Sequence, residues 1–223
     1  MGYIYELHSH TNEVSKCSKI SGAELVRFYY NKGYSGVCIT DHFFNGNTLV
    51  PKDLPWKEKV EWFYRGYYAA KEEGEKLGID VFDAWEYTFR GTDILTYGLS
   101  KEWLLERDDI LDYEIFEYCD IARENGAYVV HAHPFQDRSY NNIIRLMPHR
   151  VDAVEIFNAC RSDFENKMAG IYATEYGLST IGASDNHLGE LPHLYAMEFD
   201  HKMNSLNEII SALRENKGKI VEL

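Results

Sequence analysis

The chain lacks any apolar run close to the roughly 20 residues needed to cross a bilayer. Its first residues, MGYIYELHSH, contain neither a basic stretch nor the apolar core of a secretion signal. A protein without membrane contact and with a cytoplasmic location is therefore expected. Cysteine is sparse: Cys17, Cys38, Cys119 and Cys160 stand far apart with no CxxC pair, which encodes neither a disulfide framework nor a thiolate zinc site. Basic side chains are in deficit, 23 Lys and Arg against 36 Asp and Glu, a formal charge of -13. Such a field repels polyanions at long range and disfavours extended nucleic acid as a partner. Proline is limited to five residues, all in apparent loops, and no repeat, low-complexity tract or linker divides the chain. One domain over residues 1–223 is expected, with the oligomeric state not encoded in any visible signal.

What is present is 45% apolar residues in a chain of 223, enough for a substantial core. Short apolar runs alternate with longer amphipathic ones. The pattern predicts strands near 3–7, 36–40, 80–85, 94–97, 127–130, 153–157 and 179–184. Helices are predicted over 21–32, where Ser21 and Glu24 have capping-box spacing, and over 56–77, 111–124, 163–176 and 206–214. About seven βα units argue for a parallel sheet covered by helices. The unusual His, Asp and Glu residues all fall at the C-terminal ends of these strands. A ring of strands brings such ends to one mouth, whereas an open sheet spreads them apart. An α/β fold of the distorted TIM-like barrel type is the expectation.

His8-x-His10 places two imidazoles on one side of an extended segment, as a chelate requires, although two histidines also simply cap strand ends. Asp41-His42 in CITDHFF reads equally as a salt bridge. Glu86 in FDAWEYTF has no neighbouring cation and is either a loop carboxylate in water or a bridge between two ions. His131-Ala-His133-Pro134 repeats the His-x-His spacing, and Asp185-Asn186-His187 adds an Asp-x-His pair. Jointly the signal sharpens: six of the nine histidines sit at strand ends in the company of acids, while His149, His193 and His201 fall elsewhere. Imidazole and carboxylate without thiolate suit zinc, manganese or iron, and the donors exceed what one ion uses, so two or three divalent metal ions are expected. Such ions acidify a bridging water, present hydroxide as nucleophile and neutralise charge on phosphoryl oxygens, which makes a phosphoester the natural substrate.

The strings HSHT, TDH, an isolated Glu after the third strand, AHPF, VEIFN and SDNH, in this order from Leu7 to about His187, resemble the PHP (polymerase and histidinol phosphatase) family. The resemblance implies a distorted TIM-like (β/α)7 barrel holding a di- or trinuclear cluster that hydrolyses phosphoesters. Carried over by motif, His8, His10, Glu86 and Asp185 hold one ion, Glu86 and His133 a second, and His42 and His187 a third. Glu155 and Asn158 match a motif below the cluster that orients ligands. Two departures are visible. Asp93 stands where relatives often have a ligating histidine, and Ser15 and Lys16, with Glu13 and Cys17 nearby, stand where they often have an Asp or His. His131 is a ligand, an outer donor or an acid for the leaving group.

For the phosphate, Lys16, Arg90, Arg138 and Arg161 follow metal motifs and are the candidate substrate-binding cations, with Arg138 and Arg161 favoured. Aromatic residues between Trp56 and Tyr68 read as core or, with loop 43–55, as a lid. The leading expectation is a metal-dependent phosphoesterase in which a metal-bound hydroxide attacks a small phosphorylated metabolite, phosphomonoesters being favoured. The alternatives are a phosphodiesterase or 3'-5' exonuclease, a C–N hydrolase of the amidohydrolase type, and a non-catalytic metal-binding PHP domain.

Overall fold

In a computed structural model describing residues 2–139, 141 and 143–223, three short apolar runs form the parallel strands β1 (Tyr3–Glu6), β2 (Gly36–Ile39) and β3 (Asp80–Phe89). β4 (Thr92–Tyr97) returns antiparallel from β3 across Arg90 and Gly91. Their φ values of 49° and 80° are the left-handed pair that a two-residue hairpin turn demands, and glycine supplies the second at no steric cost. β5 (Tyr128–Ala132) is antiparallel to β4, and β6 (Ala153–Asn158) and β7 (Ser179–Ala183) continue in parallel. β8 (Tyr195–Phe199) pairs antiparallel with β1 and carries β9 (Lys219–Glu222) on its far side. Among the described residues the nine strands run in the order β7-β6-β5-β4-β3-β2-β1-β8-β9.

The two ends of this order meet. Gly182 of β7 lies so close to Ile220 of β9 that a Cβ there would collide with it. The Ser184 hydroxyl donates to the Tyr195 carbonyl at 2.9 Å. Tyr3 to Tyr5 of β1 are occupied by β8. Further along, Ser9 pairs in parallel with Asn186: the His10 N–H donates to the Asn186 carbonyl at 3.0 Å and the Asn186 N–H to the His8 carbonyl at 3.3 Å. The sheet is thus a nearly closed, distorted barrel whose direct β1–β7 seal lies at the C-terminal ends of the parallel strands.

Helices cover the outside: α1 (Gly22–Asn31), α2 (Trp56–Phe63), α3 (Arg65–Leu77), α4 (Lys101–Leu105), α5 (Ile115–Glu124), α6 (Asp163–Tyr176) and α7 (Leu206–Arg214). The Ser21/Glu24 capping box opens α1 as its spacing predicts, and Ser162 with Glu165 does the same for α6. Among the described residues no helix is long and apolar enough to cross a membrane.

Three expectations are corrected. The sheet is mixed rather than parallel, because two residues between β3 and β4 are too few for a crossover, which takes a dozen or more. The strand predicted to end at 85 continues to Phe89, so Glu86 sits within the hairpin rather than in a loop after it. The single helix predicted over 56–77 is interrupted at Tyr64, whose hydroxyl donates to Asp83. Phe43, Phe63, Tyr64, Trp85 and Tyr87 are buried in one cluster, so these aromatics build the barrel wall rather than a lid.

Candidate metal centre

The same mouth receives side chains from five strands. His8 and His10 leave β1, Asp41 and His42 follow β2, Glu86 lies in β3, His133 follows β5, and Asp185 and His187 follow β7. His8, His10, Glu86 and Asp185 are almost entirely buried. An α3 glycine makes room beneath them, since a Cβ on Gly66 would collide with Thr11 and Asp41. His133 and Asp185 adopt left-handed backbone, with φ of 27° and 52°, a strain of order 1–3 kcal/mol that persists only where surrounding contacts fix it.

Hydrogen bonding determines which imidazole nitrogen each histidine turns to the centre. Ser15 Oγ donates its only proton to Asp41 Oδ1 at 2.7 Å, so toward His10 Nδ1, at 3.1 Å, it accepts. Nδ1 of His10 therefore carries hydrogen, leaving the Nε2 lone pair free. His8 Nδ1 donates to Glu155 Oε1 at 2.9 Å, and His187 Nδ1 to the Asp185 carbonyl at 2.7 Å. Their free nitrogens are again Nε2, the arrangement that orients metal-ligating histidines. Glu155 Oε2 further accepts from the His133 N–H at 3.0 Å and from Asn158 Nδ2 at 2.9 Å, so one carboxylate holds ligand-bearing segments of β1 and β5 together.

The freed atoms converge. His8 Nε2 and His10 Nε2 lie 3.1 Å apart, with Asp185 Oδ1 3.4 and 3.3 Å from them. Two nitrogens each about 2.0–2.1 Å from one zinc ion sit about 3.0–3.4 Å apart, so the spacing is that of a chelate. Glu86 Oε1 is 3.1 Å from His133 Nε2 and 3.4 Å from His8 Nε2, while Oε2 is 2.6 Å from His42 Nδ1. Glu86 Oε2 and His42 Nδ1 nevertheless have no hydrogen-bond partner among the described residues. Three groups with mutually close donor atoms result: His8, His10 and Asp185; His8, Glu86 and His133; and His10, His42 and His187. Opposed lone pairs and an orphaned buried carboxylate oxygen are what a cation between them satisfies, so these residues fit divalent metal ions.

Electrostatics points the same way. Burial would raise the Glu86 carboxyl, yet His42, His133 and His8 hold it well below the usual carboxylate range. Burial likewise opposes Asp185, which His8, His10 and His187 hold low. Against burial, Asp185 and Glu155 keep His8 well above its ordinary value, and Glu86 does the same for His42. Burial together with the His187 and His42 charges pushes His10 far down. The cage thus stabilises positive charge among anions that are themselves held ionised.

Other sequence candidates are placed differently. Asp93 is buried at the edge of the same cavity, where burial and Glu86 raise its pKa, and it accepts from Gln136 Nε2 at 3.3 Å. It belongs to none of the three donor groups. Nor does His131, whose ring meets Tyr172 edge-on and whose pKa burial pushes down to about 3. Lys16 is exposed and does not line the cavity, whereas Arg138 and Arg161 do. Sequence reasoning did not assign Ser15 its role as the hydrogen-bond partner that turns His10. It marks Cys17 only as a neighbour of the position where the sequence departs from the PHP motif; the Cys17 Sγ lies 3.1 Å from His42 Nε2.

Comparisons with known proteins follow this geometry. Residues 163–217 match the family model described as PHP-associated. A two-domain protein from Bacteroides vulgatus, containing a predicted PHP-like metal-dependent phosphoesterase, superposes with a TM-score of 0.73 at 18% identity over 99% of this chain and 65% of its own. This chain therefore spans just under two thirds of that protein. PsfC from Pseudomonas syringae superposes with a TM-score of 0.63 at 16% identity over 100% of this chain and 92% of its own. A candidate metal-dependent phosphoesterase from Bifidobacterium adolescentis gives 0.58 at 15% over 94% and 96%. No curated protein sequence matches. The barrel fold is thus shared with these structures along the length of this chain, and the segment from α6 to α7 matches the PHP-associated model.

Proposed function

We propose that this chain is a metal-dependent phosphoesterase acting on a small phosphorylated metabolite, with phosphomonoesters preferred. The observation that carries the reading is Arg161, beside the donor cage. Its side chain is 7% exposed and Nη2 donates to Asp185 Oδ2 at 2.8 Å, while Nε and Nη1 are buried without partners among the described residues. A buried guanidinium with two unused donors facing a ligand-sized cavity is matched by an oxyanion such as a phosphoryl group. The cavity, about 710 Å³, is within the range of small-molecule sites, and Arg138 stands exposed at its rim. The -13 charge repels a polynucleotide backbone at long range.

Bound divalent ions would supply an activated water and neutralise charge growing on the phosphoryl oxygens. The chain's own part is placement. His8, His10 and Asp185 would hold one ion, Glu86 with His133 a second that shares His8, and His42 with His187 a third. Glu86 spans them because its two oxygens face different imidazoles. Arg161, held on Asp185, would fix the phosphoryl group relative to it.

The test is reconstitution of chelator-treated protein with manganese, zinc or iron(II), with ion stoichiometry and hydrolysis of a phosphomonoester, a phosphodiester and an oligonucleotide measured in parallel. The phosphomonoester should turn over fastest, and Arg161→Gln should lower kcat/KM for it by about 10–100-fold, the value of a charge-assisted hydrogen bond. Ions bound without hydrolysis of any ester would sink the enzymatic reading in favour of a metal-binding domain. Preferential cleavage of the oligonucleotide would replace it with the exonuclease.

A further inference from the structure

We propose that Cys17 is itself a coordinating residue, forming with His42 and His187 a sulfur-nitrogen site that selects zinc over harder divalent ions. The inference rests on the metal-centre reading above and adds to it a ligand that the imidazole–carboxylate pattern leaves out.

The thiol is held between the two histidines by its own loop. On one side of Cys17, the Lys16 N–H donates to the Asn47 carbonyl at 2.9 Å, tying the loop to the segment that follows His42. On the other, Ser18 Oγ donates to the His10 carbonyl at 3.0 Å and lies 3.3 Å from the His187 carbonyl, to which the Lys19 N–H also donates at 2.8 Å. Cys17 Sγ is thereby set 3.1 Å from His42 Nε2. Zinc–sulfur and zinc–nitrogen bonds of about 2.3 and 2.0–2.1 Å put two ligand atoms about 3.1–3.6 Å apart, so sulfur and nitrogen already stand at ligand spacing. His187 has Nδ1 committed to the Asp185 carbonyl and keeps Nε2 free, with its ring 5.8 Å from that of His42. Cys17, His42 and His187 line the same open cavity.

A second observation comes from the other edge of the His42 ring. Glu86 Oε2, in a residue 1% exposed, has no hydrogen-bond partner yet lies 2.6 Å from His42 Nδ1. The ring thus stands between an orphaned carboxylate oxygen and a sulfur, with a nitrogen toward each. The remaining cysteines are not so placed: Cys38 and Cys119 are packed in apolar clusters, and the Cys160 thiol donates to the Asp185 carbonyl at 3.3 Å. A thiolate with two imidazoles is a soft donor set, which suits zinc better than manganese or magnesium.

The experiment is a cobalt(II) titration of chelator-treated protein under anaerobic conditions, followed by absorption spectroscopy and elemental analysis. Wild type should develop a near-ultraviolet thiolate-to-cobalt charge-transfer band. Cys17→Ser should lose the band and about one ion per chain, while Cys17→Asp, which restores an anionic donor, should recover the ion without the band. Cobalt bound by wild type with no such band, or a Cys17→Ser variant that keeps both band and ion count, overturns the proposal and leaves the metal-centre reading standing. A wild-type protein that takes up no cobalt at all overturns both.

Discussion

At the end of β1, His8 and His10 bring their Nε2 atoms to 3.1 Å of each other; at the end of β5, His133 meets Glu86 while His131 turns to Tyr172. Both segments read His-x-His after an apolar run, so side-chain alternation treats them alike. The backbone and the partners of Nδ1 separate them. Ser9 continues in extended pairing with Asn186, keeping both neighbours on one side, whereas His133 swings into left-handed φ and breaks the alternation. His8 has Glu155 and His10 has Ser15 to hold Nδ1, but Nδ1 of His131 is buried with no partner. Spacing makes a chelate available, and a hydrogen-bond acceptor behind each ring commits it.

The sharpest break in this comparison comes from His8, which belongs to two donor groups. His8→Ala should remove two ions per chain and reduce turnover by more than about 100-fold, beyond the 10–100-fold typical of losing an outer partner. Elemental analysis with the phosphomonoester assay checks it, and a variant that keeps its ions would return this segment to the status of its twin. Next in size is Glu155→Gln, which leaves the ligands in place but weakens the acceptor for His8 Nδ1 and the His133 N–H. Metal affinity should fall by about 10–100-fold with the circular dichroism spectrum unchanged. Unaltered affinity would show that the acceptor does not set the difference.

The smallest effect belongs to His131. His131→Phe should leave ion content unchanged and alter the pH dependence of stability instead. Burial, with His133 adding to it, lowers this imidazole to about 3 in the folded protein, against about 6.5 when unfolded. Between those values the unfolded chain binds a proton that the native state refuses. Stability is therefore full above about pH 6.5 and falls with acid by about 1.4 kcal/mol per pH unit until about pH 3. A nearby divalent ion pushes in the same direction. Urea midpoints at several pH values should show a shallower acid slope in the variant, and loss of an ion from it would instead restore His131 as a ligand.

What was legible in the sequence follows from how local each signal is. α6 and α7 are found at their predicted bounds because a Ser cap opens each, and the Gly177 stop of α6 lies in the same stretch of chain. The strand-end positions of the site histidines were legible because short apolar runs announce where strands stop. Glu86 lay in view but its setting did not, since the Arg90-Gly91 turn carries β3 past it into a hairpin. β8 and β9 were unread: their pairings join Tyr195 to Glu222 and Tyr3 to Phe199, contacts across the chain that no local period encodes. Cys17 escaped for a related reason, as its place depends on loop contacts to Asn47 and His187.

The pairing of Ser9 with Asn186 has a mechanical consequence. Each of these residues stands between two groups of the cage, His8 and His10 on one segment, Asp185 and His187 on the other. The rivets that lock the hoop are therefore the rungs on which the cage is mounted. Prising the hoop open at this joint pulls His8 and His10 away from Asp185, and an ion gripping all three clamps the joint shut.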